Sequence, residues 1–207
     1  MNFASFIAAQ LRQPSGYFGR HVMLHLLNRG NFPINKLALQ VLRLAPTDHV
    51  LEVGFGGGDL IAKMARLLNQ GRITGVDLSR DAVEVCTKRF KKLIDAGAID
   101  LHCANVEELP LGAGMVTKAC TVNTIYFWPV PLVALAQIRR VLKEDGLLVI
   151  CFSPRAAMEH RRVMRHGFTL YDPEEVRTLV TEAGFRDVRI VTGKHRFGES
   201  IAVSGLK

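Results

Sequence analysis

Leu51-Glu52-Val53-Gly54-Phe55-Gly56-Gly57-Gly58-Asp59-Leu60 decides the reading of this 207-residue chain. An apolar run from His49 to Val53 leads into four glycines within five positions, and helical spacing of apolar residues follows from Leu60 to Leu68. Strand, glycine loop and helix in that order are how α/β proteins cradle a nucleotide-like ligand. Glycines reach positive φ freely and, lacking a Cβ, let a ligand lie against the backbone. The dinucleotide pattern G-x-G-x-x-G fails at its sixth position, which is Asp59. What remains is G-x-G-x-G with an acidic residue, Glu52, two positions ahead of it. Taken alone, the glycines also fit a tight strand-to-helix turn that holds no ligand.

Outward from the loop the pattern alternates. Apolar runs at His49–Val53, Arg72–Val76, Ile99–Cys103, Val116–Val122 and Leu147–Phe152 read as strands, with helical stretches Leu60–Leu68, Arg80–Leu93 and Leu132–Leu142 between them. Short, nearly continuous apolar strands separated by helices predict a parallel sheet covered on both faces, wound right-handedly. Upstream, Phe3–Leu11, His21–Asn28 and Pro33–Leu44 carry helical spacing, and Pro14 to Arg20 reads as a loop whose Tyr17 and Phe18 are placed to form a lid. Downstream, Ser153 to Leu170 is irregular and basic. Asp172-Pro173-Glu174-Glu175 is a helix start, Gly184 the matching stop, and Phe185–Val191 and Ser200–Ser204 are two last strands about a turn at Gly193 to His195. The chain reads as one domain over residues 1–207: a helical cap (1–46), a ligand-binding core (47–152) and a substrate-side segment with the last strands (153–207).

Composition excludes some classes. A hydrophobic share of 48% and a charged share of 22% are those of a globular protein. No apolar run approaches a membrane span, and the N-terminus from Met1 lacks the basic start and apolar core of a signal peptide, so a cytoplasmic protein is expected. Cys86, Cys103, Cys120 and Cys151 lie far apart and read as reduced thiols. His21 and His25 have i, i+4 spacing, but no third ligand stands near them, and no metal is expected. The net charge of +8 suits an anionic partner, although the basic residues are spread along the chain and a solvated surface explains most of them.

About twenty residues after the loop, strand two ends in Gly75-Val76-Asp77-Leu78-Ser79. A carboxylate there faces the crevice where strand order reverses and can accept bonds from two ribose hydroxyls. Asp77 could instead cap the next helix, for which Ser79 is better placed. Asn105-Val106-Glu107-Glu108-Leu109-Pro110 follows strand three, Asn123-Thr124-Ile125-Tyr126-Phe127-Trp128-Pro129 follows strand four, and Leu142-Lys143-Glu144-Asp145-Gly146 precedes strand five. Together with the acidic-x-G-x-G-x-G loop, these resemble the motifs of class I S-adenosylmethionine (SAM)-dependent methyltransferases, closest to the small-molecule group of ubiquinone and menaquinone biosynthesis. Asn105 departs from the family's Asp, and Glu144-Asp145 stands where the family usually has Pro-Gly.

The resemblance implies a Rossmann-like, doubly wound, mostly parallel seven-stranded sheet with helices on both faces and an N-terminal helical cap. It implies SAM as cofactor, with S-adenosylhomocysteine as product. Glu52, Gly54, Phe55, Gly56 and Gly58 would hold the methionine portion, Asp77 and Leu78 the ribose, Asn105 and Val106 the adenine, with Asn123 beside them. Tyr126 is the candidate catalytic residue. Tyr17, Trp128, Arg161 and Arg162 are candidate acceptor-binding residues, the arginines favouring an anionic small molecule. The acceptor atom (nitrogen, oxygen or carbon) stays open. A SAM-binding sensor or partner without catalysis, and an RNA or peptide methyltransferase, are the competing functions; nucleic acid is disfavoured because no aromatic-basic platform is present.

Overall fold

A computed structural model describes residues 3–195 and 198–207. Met1 and Asn2, the start of the N-terminus discussed above, lie outside the described residues.

Seven strands form one sheet in the order β3-β2-β1-β4-β5-β7-β6. They are β1 (His49–Val53), β2 (Arg72–Asp77), β3 (Ile99–Cys103), β4 (Val116–Val122), β5 (Leu142–Phe152), β6 (Arg186–His195) and β7 (Gly198–Leu206). The pairs among β1 to β5 are parallel, whereas β7 pairs antiparallel with both β5 and β6. This is the α/β, Rossmann-like, mostly parallel seven-stranded sheet implied by the motifs. Alternation along the strands divides the core in two. Leu148, Ile150 and Phe152 pack on the side of helices α8 (Pro131–Val141) and α10 (Pro173–Glu182). Val149 and Cys151 pack with α4 (Phe32–Leu42), α5 (Asp59–Met64) and α6 (Arg80–Arg89).

Several boundaries differ from the sequence expectation. Gly193 to His195 belong to β6, not to a turn, because the antiparallel ladder with β7 runs on to His195↔Gly198. The helix expected over Arg80–Leu93 breaks at Phe90, giving α6 and a short α7 (Lys91–Asp95). The expected loop Pro14–Arg20 is largely helical: α2 (Gly16–Phe18) passes through a π-turn at Gly19–Met23 into α3 (Leu24–Gly30). With α1 (Phe3–Arg12) and α4, these segments form the cap. The basic stretch after β5 contains α9 (Arg155–Met158) and a 3-10 turn at Arg162–Arg165. The start at Asp172 is a capping box, with the Asp172 N–H donating to Glu175 Oε2 at 2.7 Å. Ser79 caps α6, accepting the Ala82 N–H at 3.1 Å.

Candidate functional site

Strand order reverses between β2-β1 and β4-β5, and in open parallel sheets the crevice at such a point, beyond the strands' C-terminal ends, is where ligands bind. Here it is a cavity of about 1090 Å³, mouth included, walled by the glycine loop, the ends of β2, β3 and β4, and the cap.

The loop leaves β1 at Gly54, whose N–H donates to the Val76 carbonyl at 2.7 Å. Gly54 has φ +73°, and a Cβ there would stand 2.2 Å from Thr124 Cγ2. Gly56, at φ +52°, lines the cavity, and a Cβ on it would meet no protein atom within 4 Å. The two glycines are thus required for different reasons: one lets β1 and β4 approach, the other leaves room for a ligand.

Asp77 ends β2 and ties the loop down. Its Oδ2 accepts the Gly56 N–H and its Oδ1 the Ser79 N–H, both at 2.8 Å. Burial pushes its pKa up, against the pull of these two bonds. A carboxylate has about four acceptor sites, so capacity remains on the cavity side. Glu52, 3% exposed, is less satisfied. Its Oε2 is buried without a hydrogen-bond partner, and it too lines the cavity. Burial, and then the negative charges of Asp77 and Asp59, push its pKa up to about 8. An unpaired buried carboxyl beside two carboxylates is the environment that an approaching cation relieves.

The other motif residues, Gly58 apart, meet at the same cavity. Phe55, Leu78, Asn105, Val106, Asn123 and Trp128 all line it, while Gly58, at φ +72°, sits behind the loop against Phe90 and Cys86. Asn105 Oδ1 accepts the Glu107 N–H at 3.1 Å, which fixes the turn after β3. Asn123, at φ +56°, donates through Nδ2 to Asn31 Oδ1 at 2.9 Å and so joins the end of β4 to the cap.

Four of the expected site residues stand outside the cavity wall. Tyr126 is 2% exposed, and its hydroxyl is enclosed by Asn123 Oδ1 (3.0 Å), the Ser153 carbonyl (2.9 Å) and the Ser153 N–H (2.6 Å). Burial raises its pKa, and the phenol braces the β4 and β5 termini through these bonds. Tyr17 is 81% exposed, packs against His21 with the rings tilted and 4.6 Å between centroids, and is not in the cavity wall. Arg161 and Arg162 are exposed and likewise absent from it; Arg162 borders a separate groove with Phe3 and Ile7.

The cap supplies what the sequence reading missed. Asn28, Asn31 and Asn35 turn toward the cavity: Asn28 Nδ2 donates to the Gly57 carbonyl at 3.3 Å and Asn35 Nδ2 to Asp59 Oδ2 at 2.9 Å. Their only sequence signal is three amides at near-helical spacing, which solvated helices also show. Gln13 Nε2 donates to the Leu78 carbonyl at 3.1 Å, Ser79 Oγ to the Pro14 carbonyl, and Arg20 pairs with Asp81 and Glu84, fastening the cap over the β2 end.

Residues 51–150 match a family profile described as "Methyltransferase domain". An O-methyltransferase of Pyrenophora dematioidea is 29% identical over 161 residues, 74% of this chain and 60% of that protein. A demethylmenaquinone methyltransferase of Symbiobacterium thermophilum is 32% identical over 130 residues, 61% of this chain and 49% of that protein. The chain thus spans about 60% or less of the length of these curated relatives. Among solved structures, a SAM-dependent methyltransferase from Aquifex aeolicus superposes with a TM-score of 0.73 at 19% identity, covering 99% of each chain, and so shares the fold.

Proposed function

We propose that this chain, which carries a SAM-dependent methyltransferase domain, transfers a methyl group from SAM to an uncharged small molecule held between the cap and the end of β4. The observation that carries the reading is the pair formed by the unpartnered Glu52 Oε2 and the open space over Gly56, two features of one cavity that together fit a cationic ligand lying along the loop. SAM, when bound, supplies an electrophilic methyl group on sulfur.

The residues present suit that cofactor. Glu52 answers the α-ammonium of the methionine portion, Gly54 to Gly57 offer backbone to it, and Asp77 accepts bonds from the ribose hydroxyls. Asn105 and the Val106 backbone flank the adenine. Phe127 and Trp128 give the reacting centre apolar and aromatic walls, which favour a cation and keep water out. The relatives' names point to different acceptors, one to oxygen and one to a quinone precursor, so the acceptor is argued from the lining alone. Its charged residues are Arg12, Glu52, Asp59 and Asp77, an acidic balance that disfavours an anion. Asn28, Asn31 and Thr124 offer hydrogen bonds that orient a neutral polar molecule. No histidine is among the described lining residues, and Tyr126 keeps its proton. Catalysis on this reading comes from alignment of an acceptor that is already nucleophilic.

The test is release of S-adenosylhomocysteine from SAM in the presence of matched neutral and anionic acceptors of the phenol, amine and enol classes. We expect turnover with neutral members. Slow, acceptor-independent loss of the methyl group across all classes would favour a SAM-binding sensor instead.

A further inference from the structure

The helical run from Gly16 to Gly30 has two faces, and only the inner one belongs to the site. Inward, Met23 and Leu24 are buried and Leu27 and Asn28 line the cavity. Outward, Tyr17, His21, Val22, His25, Leu26 and Arg29 are all exposed, at helical spacing. Large apolar side chains interleaved with basic ones, on a face with no cover, are what an interfacial helix presents. The charge around them is one-sided. Residues 1–47 contain five Lys or Arg and no Asp or Glu, so this stretch carries +5 of the chain's net +8. Arg20 is held by Asp81 and Glu84, but Arg12 and Arg29 are exposed. A second patch on the cap repeats the pattern. Phe3, 79% exposed, shares a groove with Arg162 and Arg165 of the 3-10 turn and with His166 just after it, and Phe6 of the same helix packs on Phe18 at 5.5 Å between ring centroids.

We propose that the outer face of the cap docks on the surface of an anionic lipid bilayer, with Tyr17, Val22 and Leu26 entering the headgroup layer and Arg29, Arg162 and Arg165 facing lipid phosphates. Charge complementarity selects this occupant. A second copy would set against each other two faces whose own helical residues include basic side chains and no acid, and RNA would leave Val22 and Leu26 without an apolar partner. No described helix is long and apolar enough to cross a membrane, so the contact is peripheral. The proposal stands apart from methyl transfer and does not depend on it.

Co-sedimentation with vesicles tests it, using the whole chain with phosphatidylcholine alone and with phosphatidylcholine–phosphatidylglycerol mixtures. We expect retention by the anionic vesicles only, lost as salt is raised. Arg29→Glu and the pair Val22→Glu with Leu26→Glu should each weaken partitioning by about fivefold or more, the scale of one basic or apolar anchor. The control pair Leu132→Glu with Val133→Glu, exposed apolar positions on α8, should change nothing. Circular dichroism melting shows that each variant is folded, and the salt series on the unmodified chain gives a readout that needs no variant. No retention, equal retention by both vesicle types, retention untouched by the cap substitutions, or loss through these substitutions of RNA binding or of a dimer in place of vesicle binding would overturn the proposal.

Discussion

Replacing Glu52 by Gln while varying pH probes the cavity at its least satisfied atom. In the free protein, burial and the charges of Asp77 and Asp59 hold the Glu52 pKa at about 8, against 4.5 in an unconstrained chain. At pH 7 the carboxyl is therefore mostly protonated. Pairing with an ammonium favours the carboxylate, so binding SAM releases a proton, and affinity should rise with pH up to about 8, by at most about tenfold per unit. Above that the cofactor's own α-amino group, with an ordinary pKa of about 8, loses its proton and affinity falls again. Glu52→Gln keeps the shape but removes the titration. It should cost about 1.5–3 kcal/mol of SAM binding near pH 8, the worth of a hydrogen bond between charged groups, and remove the rising limb. The ligand-free protein should respond with the opposite sign. A carboxyl whose folded pKa lies above its unfolded value leaves stability intact below the unfolded pKa, here 4.5, and lowers it as pH rises through about 8. The span corresponds to roughly 4–5 kcal/mol as an upper bound, so Glu52→Gln should be the more stable protein at pH 8 and nearly equal at pH 4.5. Calorimetric titration in buffers of different ionisation enthalpy measures the proton release, and thermal melting the stability. SAM affinity indifferent to pH between 6 and 8, or identical in the two proteins, would refute the reasoning.

Further substitutions separate structural from binding roles. Gly54→Ala forces a Cβ against Thr124 at a positive φ and should lower the melting temperature sharply, whereas Gly56→Ala should lose only about 1 kcal/mol of stability while weakening SAM binding far more; melting and titration of both variants check the contrast. Tyr126→Phe removes a hydroxyl that braces Asn123 and Ser153, and should cost about 1–2 kcal/mol of stability and leave the pH–rate profile in place; a displaced alkaline limb would restore Tyr126 as a base. Replacing Arg161 and Arg162 together by Ala should leave the acceptor KM unchanged, measured in solution without lipid, because neither lines the cavity.

The parts of the fold and site that could be read from the sequence are those where local chemistry leaves few alternatives. Four glycines after an apolar strand, and an acid ending the next strand, are demanded by backbone geometry and ligand contact, and Gly54, Gly56, Gly57 and Asp77 meet in one cavity. The central strands β1, β2 and β4 are equally plain, since most of their residues are buried on both faces of the sheet. Side-chain direction was not plain. Tyr17, Arg161 and Arg162 have residue types that suit an acceptor site, yet whether they face it depends on how the cap and the segment after β5 pack, and both turn outward. Tyr126 sits at the right strand end, but the Ser153 backbone, which closes on it, is far away in sequence. Asn28, Asn31 and Asn35 went unnoticed for the converse reason: amides on helices resemble solvent-facing residues until the cap is folded over the loop. The π-turn at Gly19–Met23 has no reliable sequence signature, so Pro14 to Arg20 reads as a loop although the structure makes most of it helical.

The central claim, that this cavity holds SAM, is tested most directly by one calorimetric series: SAM, S-adenosylhomocysteine and NAD titrated into the unmodified chain and into Asp77→Ala. We expect SAM and its product to bind, NAD to give no heat, and Asp77→Ala to lose about 1–3 kcal/mol of SAM affinity through the missing ribose bonds. Absence of SAM binding to the unmodified chain would contradict the account.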